Sequence, residues 1–191
     1  HTTLLAQKSR FKKIEDSQIV LTQLMLPSHS NFSGKIHGGY ILSLMDQIAF
    51  ACSSKHSGNY CVTASVNKVD FLKPIGVGEL VTLKASINFT GNTSMVVGVR
   101  VESENIQTGT CTHCNSSYFT MVAKDKEGNS VAVPGLILET EQNIRRYLRS
   151  IERRIDAIKR QSIFDEKDFV MSNSDLEELK KHNMKLANDF S

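Results

Sequence analysis

One stretch restricts what this chain can fold into. It is Asn31–His56, NFSGKIHGGYILSLMDQIAFACSSKH. Ile41, Leu44, Met45, Ile48 and Cys52 recur at helical spacing, the pattern of a face turned to a core. Leu42, Ala49 and Phe50 make the other side apolar too, so the expectation is a buried helix that other elements wrap. In its middle stands one carboxylate, Asp46. A buried carboxylate is costly unless it is paired or used. Gly34, Gly38 and Gly39 precede it, and a glycine turn at a helix start lets main-chain amides approach an anionic group.

The flanking sequence reads as strands. Ile19–Leu26 predicts a first strand ended by Pro27, and Gly58 predicts the stop of the long helix. Val62, Ala64 and Val66 alternate with polar residues, and the phase then slips to Val69 and Phe71, which predicts a bulge near Asn67 and Lys68. Val81, Leu83, Ala85, Ile87 and Phe89 form a period-two face, as do Met95, Val97, Val99 and Val101 after a turn at Gly91-Asn92. A further long strand is expected over Thr110–Ala123, with Pro134 closing the β region. One strand, one apolar helix and a run of antiparallel strands make an α+β fold, most simply a curved sheet around the helix.

Three segments follow from this reading: a loose basic arm over 1–16, a globular domain over 17–138, and a helical extension and tail over 139–191. In the extension Ile144, Leu148, Ile151, Ile155 and Ile158 keep a 4, 3, 4, 3 spacing amid arginines, which reads as an amphipathic helix that docks on its own or a neighbouring subunit. Leu176, Leu179 and Met184 are candidates for a short helix in the tail.

Composition narrows the function. With 23 Lys and Arg against 20 Asp and Glu, the net charge of +3 gives no case for nucleic-acid binding. No apolar run reaches the ~18 residues of a membrane span. His1–Lys13 holds no apolar run of signal-peptide length, and the 4 cysteines are scattered; together these set the expectation of a cytoplasmic protein with reduced thiols. No Gly-x-Ser-x-Gly elbow or phosphate-binding GxxxxGK[ST] loop occurs.

Asp46 admits two readings. It is a structural carboxylate, or it activates water or attacks a carbonyl whose oxygen faces the Gly38 or Gly39 amide. Asn31 is a turn former or a group that orients a water or a carbonyl. His37 is a packing histidine or a general acid–base. Cys111-Thr112-His113-Cys114 falls inside a strand pattern, where residues three apart point to opposite faces, so no metal site is assigned.

The pattern N-x-x-G-x-x-x-G-G-Y-I-L-S-L-M-D-Q-I-A, Asn31 to Ala49, resembles the signature of hotdog-fold acyl-CoA thioesterases of the acyl-CoA hydrolase (ACOT-type) family. The similarity continues through Val62–Asn105 and Ser116–Ala123 and spans roughly Ser17–Val133. The resemblance implies a hotdog fold, with a long central helix in an antiparallel sheet. It implies obligate dimers, often grouped as trimers of dimers, with the site at the dimer interface. It implies an Asp and Asn catalytic pair, here Asp46 and Asn31, usually on different subunits, and no cofactor beyond the coenzyme A of the substrate. Coenzyme A is expected near His37, near Asn67, Val69 and Phe71, and near Asn92, Thr93 and Ser94. Lys68, Lys73 and Arg100 are guesses for its phosphates. The expected activity is hydrolysis of acyl-CoA. The alternatives are a non-catalytic acyl-CoA-binding hotdog protein and a hotdog enoyl-CoA hydratase that uses His37.

Overall fold

The computed structural model describes residues 10–163 and 170–187. In chain order it holds β1 (Phe11–Lys13), β2 (Ile19–Leu24), α1 (Gly38–Ser57), β3 (Tyr60–Asn67), β4 (Leu80–Thr90), β5 (Ser94–Glu104), β6 (Cys111–Lys124), β7 (Gly135–Ile137), α2 (Glu141–Ile163) and α3 (Asn173–Leu179). The chain divides after Ile151 into two compact units.

In the first unit an antiparallel sheet of five strands runs β2-β4-β5-β6-β3, and α1 packs on its inner face. The alternation predicted for β4 and β5 is what fills that face. Val81, Leu83, Ala85, Ile87, Met95, Val97, Val99 and Val101 are all buried, against Ile41, Leu44, Met45, Ile48 and Cys52 of the helix. Gly58 ends α1 at φ 68°, a left-handed cap that only glycine adopts without cost.

Three bulges break the sheet's register. The one expected near Asn67 and Lys68 lies instead between Thr63 and Ser65, so Ala64 is the extra residue. Lys68 is where β3 ends, at φ 35°, a conformation rare for a residue with a side chain. A second bulge sits between Ile87 and Phe89, and a third displaces Cys114 from the β5–β6 ladder. Neither shows in the hydrophobic alternation.

The β region also extends past Pro134, contrary to expectation. β7 pairs in parallel with β1, Phe11 opposite Gly135, and the following turn of 3-10 helix buries Ile14. Phe11–Asp16 are therefore structured, where the sequence reads as a loose arm; the rest of that arm, 1–9, lies outside the described residues. Gly135 is needed here because a Cβ would meet the Phe11 ring at 2.7 Å.

α2 forms where its seam predicts, but it docks on its own unit with another face. The Tyr147 hydroxyl donates to the Thr90 carbonyl at 3.1 Å, its ring lies 4.8 Å from that of Phe89, and Ser150 is buried. Ile144 and Leu148, on the seam, stay 46% and 55% exposed. The second unit begins at Glu152 and contains α3, opened by a capping box in which Ser172 Oγ accepts from the Asp175 amide. Leu176 and Leu179 lie on α3, and Met184 lies beyond it. No helix of the described residues is long and apolar enough to cross a membrane.

Candidate active site

His37 precedes the first turn of α1 with extended backbone and makes no side-chain capping bond. Its amide donates to the His29 carbonyl at 3.0 Å, and its own carbonyl first accepts from the Tyr40 amide at 3.1 Å. The Gly38 and Gly39 amides therefore precede the helical ladder, as the opening amides of any helix do. Tyr40 pins this turn to β2: its ring stacks on His29 at 3.9 Å, and its hydroxyl meets the Gln23 carboxamide.

The two glycines differ in what surrounds them. A Cβ on Gly38 would lie 3.2 Å from the Phe71 ring, so this glycine lets an aromatic ring close down on the helix start. A Cβ on Gly39 would meet nothing within 4 Å, so its face is open. Phe71 itself is 51% exposed.

Asp46 is not buried in the protomer, contrary to the reading of a helix apolar all round. It lies on an exposed stripe of α1 with Gly39, Ser43 and Gln47. Its orientation is set by one short bond: Thr63 Oγ1 of β3 donates to Asp46 Oδ1 at 2.6 Å. That length is typical of a hydroxyl donating to a carboxylate. Sequence reasoning missed Thr63, which looked like one polar member of an alternating strand. The only signal was its place on the strand that follows α1 after a short turn.

Asn31 shapes the loop before the helix. Its Oδ1 accepts from the Ser33 amide at 3.0 Å, the Ser33 hydroxyl at 2.7 Å and the Lys35 amide at 3.1 Å, a turn-forming role. None of these bonds uses its NH2 group. The structure thus pairs Asp46 with Thr63 and gives the Asn31 oxygen to its own loop.

The segments expected around coenzyme A lie at different levels of β6, with Asn67 opposite Tyr118. Asn67 ends β3, and Val69 and Phe71 follow it; the Leu72 amide donates to the Cys114 carbonyl at 3.1 Å. The Gly91–Ser94 turn is at the other end, where Ser94 is level with Val122. There the Thr93 carbonyl accepts from Ala123 and the Asn92 carbonyl from Val133. The eight steps from Cys114 to Val122 span roughly 25 Å of strand, so one protomer does not bring the Phe71–Leu72 end of the first segment to the Gly91–Ser94 turn. Lys68 pairs with Asp70 at 3.2 Å. Arg100 lies on the sheet face opposite the core and pairs with Glu102 at 2.7 Å, which holds that carboxyl below its usual range. Cys111 is exposed and Cys114 is buried, and burial pushes the Cys114 thiol up.

Residues 33–110 match the model of the thioesterase superfamily. The chain is 43% identical to protein VdlD of Helicobacter pylori, over 72% of this chain and 79% of that protein. It is 36% identical to the uncharacterized acyl-CoA thioester hydrolase YkhA of Bacillus subtilis, over 76% of this chain and 84% of that one. The chain belongs to the acyl-CoA thioester hydrolases of the thioesterase superfamily. Among solved structures, an apo-hexameric acyl-CoA thioesterase matches with a TM-score of 0.77 at 38% identity, covering 79% of this chain and 97% of that one. An acyl-CoA hydrolase of Staphylococcus aureus, in complex with butyryl coenzyme A and coenzyme A, matches with a TM-score of 0.73 at 28% identity, covering 89% and 99%. That enzyme has also been solved with an aspartate, an asparagine or a threonine replaced by alanine. The helix in its curved sheet is the hotdog fold of these acyl-CoA hydrolases.

Proposed function

We propose that this acyl-CoA hydrolase cleaves acyl-CoA to a free fatty acid and coenzyme A, with Asp46 as general base or nucleophile and Asn31 positioning the water or the carbonyl. The Thr63–Asp46 bond carries the reading. It fixes one carboxylate oxygen and leaves the other to face a reactant. In the Staphylococcus aureus enzyme the replaced asparagine precedes the replaced aspartate by 15 positions, and the replaced threonine follows it by 17. Asn31, Asp46 and Thr63 keep both intervals, which supports the assignment.

The geometry of α1 also supports a site shared between protomers. Gly39 and Asp46 are seven residues apart, on one face but two turns distant, about 10 Å along the axis. A carbonyl held by a Gly38 or Gly39 amide is out of reach of Asp46 on the same helix. The oxyanion donor that works with Asp46 comes instead from a second copy, in a dimer or a trimer of dimers. As a base, Asp46 takes a proton from water while the new hydroxide bonds to the thioester carbon. The carbonyl oxygen gains charge against the partner's amide, the C–S bond then breaks, and the thiolate takes the proton. As a nucleophile, Asp46 displaces the thiolate itself, and water opens the resulting anhydride.

The test follows thiol release from acyl-CoA by purified Asp46→Asn, with folding confirmed by circular dichroism. The expected result is a large loss of turnover in a folded protein. Turnover near that of the unmodified chain refutes the assignment.

A further inference from the structure

A five-residue segment, Lys68–Leu72, leaves β3 toward β4 and passes the helix start, and β6 holds it at both ends. At one end the Ser117 hydroxyl, itself fully buried, donates to the Lys68 carbonyl at 3.3 Å. At the other the Leu72 amide donates to the Cys114 carbonyl. That carbonyl is available because Cys114 is the extra residue of a bulge and has no partner residue in the β5–β6 ladder. Between the anchors the chain passes through Lys68 at φ 35° and lays the Phe71 ring on Gly38. A side-chain-bearing residue in this region is strained and persists only where its surroundings impose it. The Lys68–Asp70 ion pair is too exposed to do so.

We propose that Ser117 is a positioning residue: through the Lys68 carbonyl it sets the turn that seats Phe71 over the first turn of α1. The seated ring keeps water from the Gly38 side of the helix start and leaves the Gly39 side open. An amide donor flanked by an aromatic ring works in a lower dielectric and binds a developing oxyanion more strongly. Asn115 is buried beside Ser117: its Oδ1 lies 3.2 Å from Ser117 Oγ, a second acceptor in reach of that hydroxyl's single proton, and its Nδ2 lies 3.7 Å from the Met45 sulfur. The catalytic consequence rests on the thioesterase reading. The placement of Phe71 does not.

The chain has no tryptophan, so Phe71→Trp supplies a single fluorescent reporter. Its emission and its quenching by acrylamide are compared with those of Phe71→Trp/Ser117→Ala and Phe71→Trp/Val99→Ala. Val99 is level with Ser117 across the β5–β6 ladder and serves as the packing control. Removal of the Ser117 hydroxyl is expected to shift emission to the red and to raise the quenching constant about twofold. Val99→Ala is expected to lower the melting temperature without moving the emission. Unchanged emission in the Ser117→Ala form, or an equal shift in the Val99→Ala form, overturns the proposal. With Phe71 in place, hydrogen exchange at the Leu72 amide gives an independent reading: Ser117→Ala is expected to speed it about tenfold, and unaltered exchange overturns the proposal. In the activity arm, Ser117→Ala lowers kcat severalfold with little change in KM for acyl-CoA. Absence of thiol release from the unmodified chain sinks the enzymatic reading and leaves the fluorescence to decide the positioning.

Discussion

The half of α1 that begins at Gly38 turns Gly39, Ser43, Asp46 and Gln47 to the surface, while the half that ends at Gly58 encloses Cys52, Ser53, His56 and Ser57. Both halves carry polar groups, and they treat them differently. In the closed half Ser53, His56 and Ser57 find partners inside the unit, while the buried Ser54 Oγ has none among the described residues. Ser53 Oγ donates to the Ala49 carbonyl at 2.8 Å, His56 Nε2 lies 2.8 Å from the Pro134 carbonyl, and Ser57 Oγ is 3.3 Å from Cys61 Sγ. Burial there pushes the Cys52 thiol up to about 12, so it is a packing group and not a nucleophile. In the open half Asp46 holds one neighbour, Thr63. On the reading proposed for Asp46, a carboxylate that meets a reactant keeps one oxygen free.

Four substitutions test that contrast. Asp46→Asn has the largest expected effect, a loss of about 10²–10⁴ in turnover as for a missing general base, with the melting temperature nearly unchanged. A melting temperature that falls as far as activity breaks the contrast, because Asp46 then belongs with the packing groups. Thr63→Val keeps the shape and removes the donor; turnover by thiol release is expected to drop about tenfold, the order of one hydrogen bond to a charged group.

His56→Gln tests the closed half and is read in stability. Burial holds the His56 pKa below its ordinary value, since Nδ1 meets no hydrogen-bond partner among the described residues and an added proton there has nothing to bind. The unfolded chain thus takes up a proton more readily than the folded one. This contribution to stability is complete above about pH 6.5, the ordinary histidine value, and is lost as pH falls through it. Chemical denaturation at pH 7.5 and 5 is expected to show that decline in the unmodified chain and a flatter dependence in His56→Gln, with activity per folded molecule retained. Gly39→Ala is the finest probe. The methyl enters open space and favours the helix by up to ~1 kcal/mol, so the melting temperature rises slightly, while thiol release falls if the thioester lies against that face.

Much of this was legible in the residues. The periodicity of Ile41–Cys52 located α1, and the alternation of Val81–Phe89 and Met95–Val101 located the two central strands. The glycine at 58 and the order of the elements gave the wrapped helix. What stayed hidden depends on contacts distant in the chain. β1 and β7 are three residues each and pair across more than a hundred others, so neither carries a period. The bulge at Ala64 shifts which side chains of β3 face α1, and Thr63 could not be matched to Asp46 from spacing. The exposure of Asp46 was misread for a related reason. Periodicity counts apolar neighbours and does not say whether they shield a side chain within one chain or between two. For the same reason periodicity located α2 but not what holds it within this chain, where Tyr147 and Ser150 do so and the aliphatic seam stays exposed.

The left-handed glycine at the end of α1 has a bearing on how the Asp46 carboxylate is held. It folds β3 straight back along the helix, so Asp46 and Thr63 ride on one helix–turn–strand unit only 17 residues apart. The orientation of the carboxylate is therefore a local property, inherited from a single reversal of direction. A movement elsewhere in the fold that leaves this unit whole leaves the aim of the Asp46 carboxylate unchanged.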